Sequence, residues 1–321
     1  MKPNIQEGNT KIKRSKWGTV ITVLLGLWLL SFAIAYIMAG NSTPVVRENK
    51  IVLIPIEGMI SSDGGSGSFF SGATATSSAI VDYLNQAGKD DSIKGVVLEI
   101  NSGGGTVVAS KEIETAVKSL KGKKPVVAWI REVGASGAYW IASASDKIVA
   151  DPMSITGSIG VSSSYLEYTG LMEKYGIGYE QMISGKYKDA GSPFRDLKDE
   201  ERDILQKKLD RIHEAFIRTV AENRNLPESK VEKVSDGMFY LGEEFYDLGF
   251  VDYLGGKELA VNVTKQMAKM EDAKLVKFEK KTGLLDVLSK LSAEAFYSMG
   301  RGIGAELQDR SKVSKNLEVV A

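Results

Sequence analysis

Pro125-Val126-Val127-Ala128-Trp129-Ile130, followed after Arg131-Glu132-Val133 by Gly134-Ala135-Ser136-Gly137-Ala138, decides how this chain is read. The first half is a short apolar run bounded by turn residues, the mark of a strand buried on both faces. The second half is a cluster of small residues that opens a helix, expected over 134–145. Working outward, the same alternation repeats. Upstream lie a strand at Ile93–Ile100, the turn Asn101-Ser102-Gly103-Gly104-Gly105 and a helix at Val107–Leu120. Downstream comes a strand at Lys147–Ala150. Ile51–Ile56 forms an earlier strand, and a helix follows at Ser78–Ala87. Strands and helices in this order imply an α/β domain with a largely parallel sheet flanked by helices.

Beyond residue 150 the pattern is less regular. Gly157-Ser158-Ile159-Gly160-Val161 reads as a glycine-punctuated strand or turn, 165–175 as a helix and 179–183 as a strand. Ile204, Leu205, Leu209, Ile212, Phe216 and Val220 form a helical stripe over 196–223. Shorter helices are expected at 243–248 and 257–270. Leu284, Leu288, Leu291, Ala295, Met299 and Ile303 share one face of a closing helix over 284–307, before a tail at 312–321. Residues 61–78, rich in Gly, Ser and Thr, read as a loop that carries the unusual pair Phe69-Phe70.

Bulk composition excludes several classes. Lys+Arg and Asp+Glu both total 41 in 321 residues, so no global field attracts nucleic acid. There is no cysteine and one histidine, His213. Disulfides, thiolate metal sites and a cysteine nucleophile are therefore excluded, and His213 alone is a poor basis for a metal site. No cofactor or metal is expected. His213 reads as a packing or surface residue of its helix.

The N-terminus suggests a membrane. Lys11, Lys13, Arg14 and Lys16 precede an uncharged, strongly apolar run from Trp17 to Gly40. Its length suits a helix that crosses a bilayer core, which needs about 20 residues. A cleaved signal peptide is the alternative, with an apolar stretch of roughly 7–15 residues. The basic flank predicts a cytoplasmic N-terminus and an extracytoplasmic remainder. The expected organisation is a basic cytoplasmic segment at 1–16, a transmembrane helix at 17–40, a stalk at 41–50, one domain at 51–272, and a C-terminal strand, amphipathic helix and tail at 273–321.

Ser136 stands where a strand becomes a helix, among residues small enough for a substrate backbone to approach. Free N–H groups at a helix start can hold an oxyanion. A serine here also serves as a plain N-cap, so the motif by itself leaves both readings open. As a nucleophile, Ser136 needs a base other than the scarce imidazole. A lysine can take its proton only when neutral, which requires its pKa to fall by roughly three units on burial. Ser184-Gly185-Lys186-Tyr187-Lys188-Asp189 offers two candidates, which share a face if the segment is extended. The Asn101–Gly105 turn lies where a strand ends and a helix begins, the usual ligand edge of an open α/β sheet.

Together the Asn101–Gly105 turn, Gly134-Ala135-Ser136-Gly137, Thr156-Gly157-Ser158-Ile159-Gly160-Val161, Ser184–Asp189 and Phe245–Gly255 resemble the signal peptide peptidase A family. Its members are membrane-anchored serine peptidases with the Clp protease/crotonase-like fold. The resemblance covers roughly Ile51 to Gly256. It implies Ser136 as nucleophile, Lys188 rather than Lys186 as base, the Gly105 and Gly137 N–H groups as the oxyanion hole, and Ser158 as a second hydroxyl orienting the amine. The family turn usually reads Asn-Ser-Pro-Gly-Gly, and here Gly103 replaces the proline. The resemblance further implies peptide substrates such as signal peptide remnants, and a homo-oligomer in which neighbouring subunits help build each site. Two other readings stay open: a crotonase-like acyl-CoA enzyme, and a non-catalytic, membrane-anchored oligomeric module that binds peptides.

Overall fold

A computed structural model describes residues 16–40, 48–63 and 74–278. Residues 1–15 of the basic N-terminal segment, residues 41–47 of the expected stalk, the tip of the Gly/Ser-rich loop with Phe69-Phe70, the closing helix expected at 284–307 and the C-terminal tail lie outside the described residues. The stalk expected to residue 50 ends earlier, because Lys50 already belongs to the first strand.

The chain divides into two units, 1–48 and 49–321. In the first, α1 (Lys16–Gly40) is one 25-residue helix with no charge after Lys16, and its described side chains are exposed. Among the described residues, which leave out the side chains of Lys16, Thr19 and 37–40, no helix is long and apolar enough to cross a membrane.

The second unit is built on strands β1 (Lys50–Glu57), β4 (Ile93–Ser102), β5 (Val126–Ala135), β6 (Lys147–Ala150), β9 (Tyr253–Leu254) and β10 (Lys274–Lys277). Their order is β10-β1-β4-β5-β6-β9, and each neighbouring pair is parallel. β7 (Ile155–Gly157) extends the end of β5 in parallel and pairs antiparallel with β8 (Phe239–Leu241). A small parallel pair, β2 (Met59–Ser61) with β3 (Thr74–Thr76), stands apart from the main sheet.

Side chains alternate across a strand, and the core follows that rule. Val52, Ile54, Ile56, Val96, Leu98, Ile100, Val126, Ala128 and Ile130 face one side. There they pack against α2 (Ser77–Lys89), α3 (Val107–Leu120), α4 (Gly137–Ser143) and α6 (Asp199–Arg224). Ile51, Leu53, Val97, Val127 and Val149 face the other, covered by Ala260 and Val263 of α9 (Lys257–Met267). Burial on both faces explains why these strands read as mainly apolar runs, with Lys94 and Glu99 as the interruptions in β4.

The mixed α/β class and the mostly parallel sheet agree with the sequence reading. Three local expectations need correction. The helix expected from residue 134 begins at Gly137, because β5 continues to Ala135 through its pairing with β7. The helix expected over 165–175 contracts to α5 (Thr169–Lys174). The strand expected at 179–183 does not form: its residues find no neighbouring strand, and Tyr179, Met182 and Ile183 stay exposed. An isolated strand has no ladder to satisfy its backbone.

Candidate active site

The C-terminal ends of β4, β5 and β7 lie level, with Ser102 opposite Gly134, Gly134 opposite Thr156 and Ala135 opposite Gly157. This register brings the three loops that follow these strands to one edge. They carry Gly103–Gly105, Ser136 and Ser158.

Ser136 is the hinge between β5 and α4. Its N–H donates to Gly157 O at 2.8 Å, and its carbonyl accepts the Trp140 N–H at 2.9 Å. Its backbone has φ 53° and ψ −125°, a region that costs a non-glycine residue on the order of 1–3 kcal/mol. The strain is held from both sides, by the β5–β7 ladder and by α4, whose seven residues are all buried. A strained serine on a strand-to-helix turn is how several hydrolase folds expose a nucleophilic hydroxyl.

Two backbone donors flank it. Gly137 is the first residue of α4, so its N–H has no acceptor within the helix. Gly105 bridges to Ile60 through its neighbours: Ile60 N–H donates to Gly104 O at 3.0 Å and Thr106 N–H to Ile60 O at 2.9 Å. That leaves the Gly105 N–H outside the bridge. The packing here requires glycine. A Cβ on Gly105 would lie 1.9 Å from Ile60 O, and one on Gly137 would lie 2.4 Å from Ser110 Oγ and 3.3 Å from Gly105 N. Gly105 and Gly137 are therefore neighbours in space, although 32 residues separate them in sequence.

Ser158 also has a positive φ, 48°. Its N–H donates to Met238 O and its hydroxyl to Gly237 O, both at 3.0 Å. The hydroxyl proton is thus committed, and the oxygen's lone pairs remain able to accept from an amine.

Gly105, Ser136, Gly137 and Ser158 line one cavity of about 460 Å³. Sequence reasoning did not foresee the rest of its wall. Gln206, Leu209, Asp210, His213 and Phe216 reach it from one face of α6. The Trp140 ring stacks on Phe216 at a centroid distance of 4.4 Å. His213, expected to be a packing or surface residue, belongs to this wall, with Nε2 3.2 Å from Ile159 O. The available signals were the 3–4 residue spacing along α6 and the position of Trp140 four residues after Ser136.

Lys188 does not line the cavity of its own chain. It is exposed in a turn, its N–H bonded to Gly185 O at 3.1 Å. Lys186 is exposed too, but paired: its Nζ lies 2.7 Å from one Glu200 oxygen and 2.9 Å from the other. The Glu200 carboxylate, with the Tyr187 hydroxyl, pushes the Lys186 ammonium above its ordinary pKa. An amine held charged this way is a poor base, which gives a physical ground for preferring Lys188. Among the described residues no group of three or more His, Asp or Glu could hold a metal ion.

The profile of peptidase family S49 matches residues 118–271. A candidate protease of Methanocaldococcus jannaschii is 34% identical over 305 residues, 94% of this chain and 97% of that one. A candidate signal peptide peptidase of Enterococcus faecium is 34% identical over 234 residues, 73% of this chain and 68% of its own. Protease 4 of Haemophilus influenzae is 33% identical over 220 residues, 68% of this chain and 35% of its own.

Proposed function

From the premise that the chain belongs to peptidase family S49 and is a serine peptidase, we propose that it is a membrane-anchored endopeptidase with a Ser136–Lys188 dyad. Neutral Lys188 takes the proton of Ser136, whose oxygen attacks a peptide carbonyl. The N–H groups of Gly105 and Gly137 hold the oxyanion, and the lysine then protonates the leaving amine. Water resolves the acyl-enzyme by the same route. Ser158 accepts from the amine and orients it. The observation that carries this reading is the strained Ser136 elbow, with two free backbone donors beside it in one cavity.

The base comes from a second copy of the chain. None of residues 161–200 is buried, yet this stretch carries Leu166, Tyr175, Ile177 and Met182, the last 92% exposed. Such a display of apolar side chains favours a self-association surface. Contact with a neighbour would carry Lys188 toward a Ser136 cavity and strip water from its amine, the condition for a neutral lysine. The 17–40 segment supports a membrane anchor with the catalytic unit outside the cytoplasm. Extended peptides held near a bilayer, signal peptide remnants among them, are then the substrates.

The test is turnover of a fluorogenic peptide by the full chain in detergent. Ser136→Ala and Lys188→Ala are each inactive, and co-expressing the two restores activity, because mixed assemblies pair an intact serine with an intact lysine. Lys188→Ala at wild-type activity overturns the dyad. Inactive mixtures overturn the shared site.

A further inference from the structure

The turn that carries Lys188 has no packed core beneath it. Its internal backbone bonds are all local: Lys188 N–H to Gly185 O at 3.1 Å, Ala190 N–H to Tyr187 O at 3.2 Å and Ser192 N–H to Asp189 O at 2.9 Å. Two links join it to α6: Lys186 and the Tyr187 hydroxyl engage the exposed Glu200, and the Arg195 guanidinium ties Asp189 to the buried Glu201. Arg195 donates from Nε to Asp189 Oδ2 at 2.6 Å and from Nη2 to Oδ1 at 2.9 Å. It also donates from Nη2 to Glu201 Oε1 at 2.7 Å, and from Nη1 to Glu201 Oε2 and Asp196 O, both at 2.8 Å. All five of its N–H groups are engaged. Glu201 sits in the first turn of α6, its side chain 1% exposed, and also accepts the Lys198 N–H at 3.1 Å. About one and a half to four turns further along, the same helix forms the wall of the Ser136 cavity. One rigid element thus carries both the cavity wall and, through Arg195, the lysine turn.

The second consequence is electrostatic. A carboxylate within about 4–6 Å of an amine favours the ammonium, by about 1–3 pKa units. Asp189 directly follows Lys188 in sequence, so its charge is a hazard to a lysine that must be neutral. Arg195 occupies both Asp189 oxygens. We propose that Arg195 is a positioning residue for the base: its guanidinium clamps Asp189 to α6, fixing the Lys188 turn and withdrawing the neighbouring carboxylate from the Lys188 amine. This inference rests on the reading of Lys188 as the base.

The Gln181 side chain also favours the Asp189 carboxylate, and the Lys198 charge acts on Glu201. Lys186 and the Tyr187 hydroxyl both engage Glu200, and Glu201 is held by Arg195. Asp210, His213 and Asp236 belong to the cavity wall. The Arg195 hydrogen bonds hold the Asp189 carboxyl at about 2 and Glu201 below its ordinary value, so the clamp stays fully charged at neutral pH.

The experiment is the pH–rate profile of the full chain on the fluorogenic peptide. Arg195→Gln releases Asp189, and the acid limb of kcat/KM should rise by about one pH unit, with a loss of about tenfold at pH 7 that recovers at higher pH. Adding Asp189→Asn to Arg195→Gln removes the freed charge and should return the limb to its wild-type position, with the plateau still lowered. A merely structural role would lower the plateau and leave the limb in place. Arg195→Lys should fall between, because an ammonium cannot engage both carboxylates as a fork. Asp189→Asn alone keeps Glu201 paired, so it tests the clamp even if Arg195→Gln does not fold: it should lower the plateau without raising the limb. Unchanged plateaus in Asp189→Asn, or a limb that does not move in a folded Arg195→Gln, overturn the inference. Either result beside an inactive Lys188→Ala leaves the dyad standing, whereas an active Lys188→Ala removes the dyad itself.

Discussion

Two glycines in the Asn101–Gly105 turn should answer substitution in opposite ways. In Gly105→Ala the new Cβ falls 1.9 Å from Ile60 O and 2.6 Å from both the carbonyl carbon and the nitrogen of Ile60, all backbone atoms that cannot rotate away. To restore even the 3.0 Å limit of real Cβ contacts, β2 and the turn must separate by about 1.1 Å. A misplacement of about 1 Å near the chemistry costs about a hundredfold. Loss of one oxyanion donor costs about 100- to 1,000-fold in kcat. The expected outcome is therefore a fall in kcat of about two to three orders of magnitude with a far smaller change in KM, since the donor acts on the transition state. Gly103→Ala is the internal control. Nothing lies within 4 Å of its added Cβ, and its φ is outside the left-handed region. Alanine there should keep turnover and raise stability by about 0.4–1 kcal/mol, through a stiffer unfolded chain. The assay is steady-state hydrolysis of the fluorogenic peptide, with urea unfolding run in parallel. A Gly105→Ala enzyme within about threefold of wild-type kcat would refute the assigned geometry, as would an equal collapse in Gly103→Ala.

Lys186→Ala should retain turnover, because Lys186 is tied to Glu200 rather than offered as a base; the pH–rate profile checks this, and a lost acid limb would reverse the choice between the two lysines. The Arg195 clamp should make stability depend on pH in one direction. The Asp189 pKa is depressed to about 2 in the fold, against about 3.9 for a free side chain. Its contribution is complete above the unfolded value and is lost as pH falls toward the folded one. The gap in urea midpoint between wild type and Arg195→Gln should thus be full at pH 6 and narrow toward pH 2. Tyr139→Phe removes a buried hydroxyl that donates to Phe250 O at 2.9 Å, so the unpaired carbonyl should cost about 1–3 kcal/mol in chemical unfolding.

The main sheet was legible because its strands obey one simple rule. A strand buried on both faces must be largely apolar; Ile51–Ile56 and Pro125–Ile130 are, and Ile93–Ile100 is apart from Lys94 and Glu99. Ser136 and Gly137 were legible for a related reason: only small residues fit where a sheet edge folds directly into a buried helix. The short pairs were not. β2, β3, β8 and β9 have two or three residues each, too few to show a period, and their positions follow from long-range pairing. His213 read as a packing or surface residue, but a helical stripe says which residues share a face and not what that face meets, so its place in the cavity wall could not be foreseen. The stretch 161–200 was hardest. Tyr179 to Ile183 has the composition of a strand, but composition cannot supply the partner a strand requires. The Arg195 clamp spans six residues in each direction, to Asp189 and Glu201, and nothing in a linear pattern separates it from ordinary surface charge.

The left-handed backbone at Ser136 restricts the chemistry that mutation can explore. Threonine would keep a hydroxyl, yet its branched Cβ is badly suited to φ 53°. Cysteine adds no branch and fits the same bend. Drift toward a secondary alcohol is thereby closed by geometry alone, while a thiol remains structurally open to this enzyme.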